Sequence, residues 1–201
     1  MTHAYTLRYN CRVTVTIYLV RHGSTEWSVA HRHTGATDLP LTERGLGEVE
    51  SLGARLRSKS FATAMSSPLL RARTTAEMCA DDFDVVDDLT EWDYGDYEGL
   101  TSAQIRQDRP DWNLWTHGCP GGERFEDVAR RAKSVLGLVP PDGRVLVVAH
   151  GHFNRVLTEC FVYLAGLGSK LDTAAPASLS SLGFDRYGPV VKVWNDTAHL
   201  H

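Results

Sequence analysis

Two histidines in this sequence each stand between an apolar run and a glycine. Val13-Thr14-Val15-Thr16-Ile17-Tyr18-Leu19-Val20 leads into Arg21-His22-Gly23, and Val145-Leu146-Val147-Val148-Ala149 leads into His150-Gly151-His152. Both runs have the apolar, β-branched composition of buried strands. If those strands are parallel neighbours, the two imidazoles leave one edge of one sheet, the place where open α/β sheets bind ligands. An imidazole can act there as nucleophile, proton carrier or metal ligand. Arg21 beside His22 adds a guanidinium suited to an anion. Arg71 follows Ser67-Pro68-Leu69-Leu70, which predicts a helix start with Ser67 as cap and Pro68 in the first helical position. Its side chain then begins where free N–H groups and the helix dipole already favour negative charge. Arg73 sits about 200° further round that helix and is expected in solvent. Glu91 follows the brief strand Val85-Val86 and precedes Tyr94-Gly95. A carboxylate near two arginines can simply pair with them, and beside two histidines it can instead donate a proton.

The elements needed to hold these groups follow from periodicity. A polar loop over His31 to Pro40, containing His33-Thr34-Gly35, precedes a helix capped by Thr42, with Leu46, Val49, Leu52 and Leu56 on one face. Phe61 to Met65 forms a short strand. Leu100 to Gly122, rich in Trp, Asp, Pro and Gly, predicts one short helix within a long excursion over the sheet. Phe125, Val128, Ala132, Val135, Leu136 and Val139 mark an amphipathic helix that Pro140-Pro141-Asp142-Gly143 ends. Val145 to Ala149 suits a sheet centre. A helix is expected from about Asn154, and Val190 to Trp194 gives the final strand. Strands alternate with helices, so the expected fold is a three-layer α/β/α arrangement with a mainly parallel central sheet. No repeat or linker divides it: residues 13–201 are expected to form one domain, and residues 1–12 a loosely attached extension.

The chain has 201 residues, enough for one well-filled core. A net charge of -4 argues against a general nucleic-acid or membrane-surface role. No apolar run approaches the roughly 20 residues that span a bilayer, and residues 1–12 lack the apolar core of a signal peptide. Cys11, Cys79, Cys119 and Cys160 are scattered without a CxxC pair, as expected of reduced thiols in the cytoplasm.

Arg21-His22-Gly23-Ser24-Thr25-Glu26-Trp27 resembles the signature of the histidine phosphatase superfamily, whose fold is phosphoglycerate mutase-like. The similarity continues in order through Thr34-Gly35, Leu41-Thr42-Glu43-Arg44-Gly45, Ser67 to Ala76, Glu91 to Gly95, Ala149-His150-Gly151 and Trp194-Asn195. The triplet alone is a weak signal; the ordered blocks are specific. The resemblance implies that His22 is the nucleophile, attacking phosphorus in line to give a phosphohistidine. It implies that Arg21, Arg71 and His150 clamp the phosphoryl oxygens in place of a metal, with no cofactor. Glu91 then protonates the leaving oxygen and afterwards assists water. Cationic neighbours favour the neutral His22 that a nucleophile must be. Backbone N–H groups around Thr34-Gly35 and Gly151 are expected to complete the cradle, and His152 to face the substrate beyond the reacting phosphate. Glu123 is expected either to orient the site from the covering loop or to serve structure alone. Family members often carry Asn after the motif's Trp; Ser28 stands there, so that contact is lost or made through water.

Glu91 and His150 are 59 positions apart, a shorter segment than in the cofactor-dependent mutases, which implies open access and hydrolysis. Glu91 to Gly99, Trp115 to Glu123 and Ala149 to His152 are similar to a branch of broad-specificity acid phosphatases and sedoheptulose bisphosphatase-like enzymes. The expected activity is hydrolysis of small phosphorylated metabolites such as sugar phosphates. It should favour mildly acidic pH, because Glu91 must be protonated for the first step and His22 must not. A homodimer is the expected assembly. The alternatives are mutase-type transfer, phosphate binding without catalysis, and metal-dependent hydrolysis through His31-x-His33 and His150-x-His152.

Overall fold

The computed structural model describes residues 14–201; the expected extension over residues 1–12, with Cys11, lies outside them. Strand β1 (Thr16–Arg21) is followed by α1 (Glu26–Val29), α2 (Glu43–Leu56), β2 (Thr63–Ser66), α3 (Leu70–Cys79) and β3 (Asp84–Val85). After a stretch holding α4 (Ser102–Asp108) and α5 (Leu114–His117) come α6 (Phe125–Gly137), β4 (Arg144–Ala149), α7 (Gly151–Val162), α8 (Leu167–Lys170), β5 (Leu179–Asp185) and β6 (Gly188–Asp196). The sheet order is β3-β2-β4-β1-β5-β6. Strands β3, β2, β4 and β1 are parallel, β5 runs antiparallel to β1, and β6 antiparallel to β5. The mainly parallel three-layer arrangement is therefore as the alternation predicts.

The position of β4 follows from its composition. Val145, Val147 and Ala149 belong to one buried cluster with Trp92, Val128, Val135 and Phe153, under α6 and α7. Leu146 and Val148 belong to the other, with Val49, Leu52, Ala72 and Ala76 of α2 and α3. A strand apolar on both faces belongs between two layers of helices. Its parallel register with β1 pairs Arg21 with Ala149, so His22 and His150 leave the sheet side by side.

Several local expectations need correction. Thr42 caps α2 by accepting from the Gly45 N–H, but Leu46 is exposed and Gly45 takes the buried place. A Cβ on Gly45 would stand 2.2 Å from the Ser24 carbonyl oxygen, and one on Gly23 2.7 Å from the Gly45 oxygen. The loop after His22 and the first turn of α2 thus touch backbone to backbone. Gly45→Ala is expected to cost about 3 kcal/mol, the upper range for overpacking, visible as a lower urea midpoint; an unchanged midpoint would contradict this close approach. Helix α3 begins at Leu70, later than Pro68 suggests. Its first N–H is satisfied by the Asp38 carboxylate at 2.7 Å, and Ser67 Oγ accepts from the preceding Leu69 N–H, at 3.4 Å. Helix α7 begins at Gly151 rather than near Asn154. The excursion holds two short helices instead of one.

The sheet also has a strand the periodicity did not reveal. Leu179-Ser180-Ser181-Leu182-Gly183-Phe184-Asp185 is β5, whose serines and glycine are poor strand formers. It is held by β1 on one side and by the β6 hairpin on the other. Cys79, Cys119 and Cys160 are free thiols. No helix among the described residues is long and apolar enough to cross a membrane.

Candidate active site

The two imidazoles lie with ring centroids 5.2 Å apart. The Nδ1 of His22 is 2.8 Å from the Gly23 carbonyl oxygen. A carbonyl only accepts, so Nδ1 carries the proton and Nε2 keeps its lone pair, the tautomer a nucleophile needs. Burial above all, then the charges of Arg71 and Arg21, hold the His22 pKa well below its ordinary value. The ring therefore stays neutral. Its backbone is fixed as well, its N–H donating to the Ala149 carbonyl at 3.1 Å. His150 is wholly buried, and its Nε2 lies 2.8 Å from Ser67 Oγ, the partner that Ser67 holds in place of a capping role. Burial, then Arg71 and His22, lower its pKa in the same way.

Arg71 is wholly buried, an unusual state for a guanidinium. It is fixed by the loop that α3 faces: Nη1 donates to the Thr37 carbonyl at 2.9 Å, and Nη2 to those of Thr34 at 3.1 Å and Gly35 at 2.9 Å. That loop is in turn held by Glu98, whose carboxylate accepts from the Gly35 and Thr37 N–H groups at 2.8 and 3.1 Å. Arg21 is fixed by a hydrogen bond from Nη1 to the Ala174 carbonyl. What remains unsatisfied is informative. Among the described residues five buried side-chain polar atoms lack a partner, and three of them are Arg21 Nε, Arg71 Nε and His150 Nδ1. Buried donors are rarely left unpaired, because each forfeits its hydration. All three atoms belong to residues close to the neutral His22 imidazole.

Glu91 is buried at the start of α7. Its Oε1 accepts from the N–H groups of Trp92 at 2.9 Å and Phe153 at 2.8 Å, and its Oε2 from that of His152 at 3.0 Å. The N-terminus of α7 thus holds the carboxylate in one orientation. Glu91, Arg21, His22, Thr34, Gly151 and His152 line a cavity of about 620 Å³, and Arg71 and His150, both wholly buried, are not part of its lining. Its outer walls are Tyr94, Trp112, Trp115, His33 and the 173–176 segment. His152 is among its lining residues. Its Nδ1 is 2.7 Å from the Tyr94 hydroxyl, and its ring packs against Trp115 and His33. Burial, Arg155 and His33 lower its pKa, and burial and Arg106 lower that of His33 to about 4, so both stand uncharged in the cavity wall.

One expected phosphate contact is not made as anticipated. The Gly35 N–H is occupied by Glu98 and does not face the cavity; Thr34 and Gly35 instead supply carbonyls to Arg71. The Ser28 hydroxyl lies at the cavity edge, but it accepts from the Thr25 N–H and donates to the Thr25 carbonyl, closing a cap on α1. Glu123 is structural: it pairs with Arg131 at 2.7 Å and accepts from the Asp93 N–H at 2.9 Å, tying the covering loop to α6. Arg73 is exposed, as its helical angle requires. Among the described residues no group of three or more His, Cys, Asp or Glu is placed to hold a metal ion; His31 is exposed, and His33 packs on Tyr94 at 4.6 Å. Sequence reasoning overlooked Glu98, Ser67 as a partner of His150, and the 173–176 wall.

Comparison with known proteins identifies the arrangement. The family model for the histidine phosphatase superfamily (branch 1) matches residues 17–197. The chain belongs to the histidine phosphatase superfamily. This histidine phosphatase is 38% identical over 189 residues to an acid phosphatase of Mycobacterium tuberculosis, covering 91% of this chain and 93% of that one. It is 33% identical over 191 residues to the sedoheptulose 1,7-bisphosphatase of Saccharomyces cerevisiae, covering 77% and 70%. A mycobacterial glucosyl-3-phosphoglycerate phosphatase, solved in complex with VO3, superposes with a TM-score of 0.81 at 31% identity, covering 90% of this chain and 98% of that one. Phosphoglycerate mutases are relatives too: one from Beijerinckia indica is 29% identical over 195 residues, covering 87% and 89%. The fold is phosphoglycerate mutase-like, and the phosphatases named above support a phosphatase hydrolase.

Proposed function

We propose that this histidine phosphatase hydrolyses phosphomonoesters of small metabolites in two displacements through a phosphohistidine on His22. In the first, the Nε2 lone pair forms a bond to phosphorus while the ester P–O bond breaks, and Glu91 gives its proton to the departing oxygen. In the second, water attacks phosphorus and yields a proton to Glu91, the N–P bond breaks, and inorganic phosphate leaves. Arg21, Arg71 and His150 hold the phosphoryl oxygens throughout, and Gly151 opens the helix beside them. The single observation that carries this reading is the set of three buried polar atoms without a partner, Arg21 Nε, Arg71 Nε and His150 Nδ1, around a neutral imidazole.

Beyond the phosphate, Trp112, Trp115, Tyr94, His33 and His152 offer ring faces and uncharged polar atoms to the alcohol portion. Such a wall suits a phosphorylated sugar or similar polar metabolite. The net charge of -4 argues against a general nucleic-acid or membrane-surface role. The same reading takes residues 13–201 as one domain, a homodimer as the assembly and the cytoplasm as the compartment.

The test is a screen of phosphate release over sugar phosphates, sugar bisphosphates, phosphoglycerates and phosphoamino acids, with and without a chelator. Release from at least one class, unaffected by chelator, supports the proposal. Movement of phosphate between hydroxyls without release would replace it with transfer, and no turnover of any ester would leave a binding protein. Glu91→Gln is expected to slow alkyl phosphates by about 10²–10⁴-fold, the usual worth of a positioned acid, and aryl phosphates far less. Equal losses on both would remove Glu91 from the proton-donor role.

A further inference from the structure

Arg21 and His22 are not held by β1 and β4 alone. The irregular segment before β5 contacts both of them: Arg21 Nη1 donates to the Ala174 carbonyl, the Arg21 N–H to the Ser178 carbonyl at 3.3 Å, and the Ala177 N–H to the His22 carbonyl at 3.0 Å. This segment carries Ala177 with φ of 52°, a conformation unfavourable for any residue with a Cβ. Something outside the segment must impose it.

Two residues at and after the end of β6 do so. The Ala175 N–H donates to Asn195 Oδ1 at 2.7 Å, and Asn195 itself sits at φ 57°, which asparagine tolerates better than most residues. His199 Nε2 is 3.0 Å from the Ala177 carbonyl oxygen, and its Nδ1 is 3.1 Å from Arg55 Nη1. The carbonyl only accepts and the guanidinium only donates, so His199 is a neutral imidazole with its proton on Nε2, bridging the two. Arg55 comes from α2 and also pairs with Asp196. A continuous path therefore runs from α2 through Arg55, His199 and Ala177 to the backbone of His22.

We propose that Asn195 and His199 are positioning residues for catalysis: they clamp the Ala174–Ser178 segment, which sets the place of the Arg21 guanidinium and of the His22 backbone. Neither side chain touches the reacting atoms. The proposal rests on the reading of His22 as nucleophile and Arg21 as clamp. A small displacement of a nucleophile is costly because in-line attack tolerates little misalignment.

The test uses the full chain and para-nitrophenyl phosphate. His199→Ala and Asn195→Ala are each expected to lower kcat by about tenfold with KM within about twofold, an effect of misplacement rather than of lost binding. Their double variant should be less than multiplicative, since both act on one segment. His199→Gln, which restores a donor at the Nε2 position, and Asn195→Asp, which restores the acceptor, should recover most of kcat. Should the alanine variants not fold, His199→Asn, whose amide stops short of the Ala177 carbonyl, is expected to remain slower than His199→Gln. Wild-type kcat in the alanine variants, or equal kcat in the glutamine and asparagine variants, would overturn the proposal. His22→Ala in the same assay separates the two readings: if it is inactive while His199→Ala is fully active, only the positioning role fails.

Discussion

His22→Ala is expected to lower phosphomonoester turnover by about 10⁴-fold or more, the loss typical of removing a covalent nucleophile. With a ³²P-labelled ester and an alkaline quench, which spares phosphoramidates, label should stay on the wild-type chain and be absent from the variant. The argument rests on the tautomer. The Gly23 carbonyl accepts a hydrogen bond from Nδ1–H, and the ring is too buried and too close to two guanidinium groups to accept a second proton. The neighbouring imidazole, His150, has its Nε2 engaged with Ser67. Turnover near the wild-type rate in His22→Ala would end the phosphohistidine mechanism, as would label retained on the variant.

Arg71→Ala should cost about 10³-fold in kcat/KM, the scale of removing a charged group that stabilises a transferring phosphoryl. Three effects combine. The unpaired Nε donor is lost, and so is the charge. The carbonyls of Thr34, Gly35 and Thr37 also lose their donor. Arg71→Lys should recover little, since a single ammonium cannot span three carbonyls and an anion at once. The change also has a pH signature with a definite sign. Burial is the largest cause of the depressed His22 pKa and Arg71 the second. In the wild type the nucleophile therefore stays neutral well below its ordinary pKa, and its protonation limits kcat/KM only at strongly acidic pH. Without Arg71 the His22 pKa rises, so that acid limb moves toward higher pH. A variant with reduced activity and an unmoved or lowered acid limb would show that Arg71 does not act on His22.

How far the sequence determined this protein can be judged residue by residue. β1 and β4 were legible because both are continuous apolar runs, and such runs belong at the centre of a parallel sheet. Their shared ending in His-Gly brings His22 and His150 together once the two strands are taken as parallel neighbours. Arg71 was legible from its place in the first turn of a helix, and Arg73 from the angle that separates them. Glu91 was placed only by the resemblance, since a carboxylate after a strand has no local signature. What the linear pattern could not reveal was whatever depends on a partner distant in the chain. Ser67 looked like a helix cap, yet Asp38 supplies that function and Ser67 serves His150. The Gly35 N–H looked free, yet Glu98 occupies it. The strand β5 has no strand-like composition, and only pairing to β1 and β6 makes it one. Asn195 and His199 lie more than 170 positions from His22, so their contact through Ala177 exists only once the sheet has closed. Local periodicity determines which residues stand on which face. Backbone hydrogen bonds between distant segments decide which of them are left free to meet a substrate.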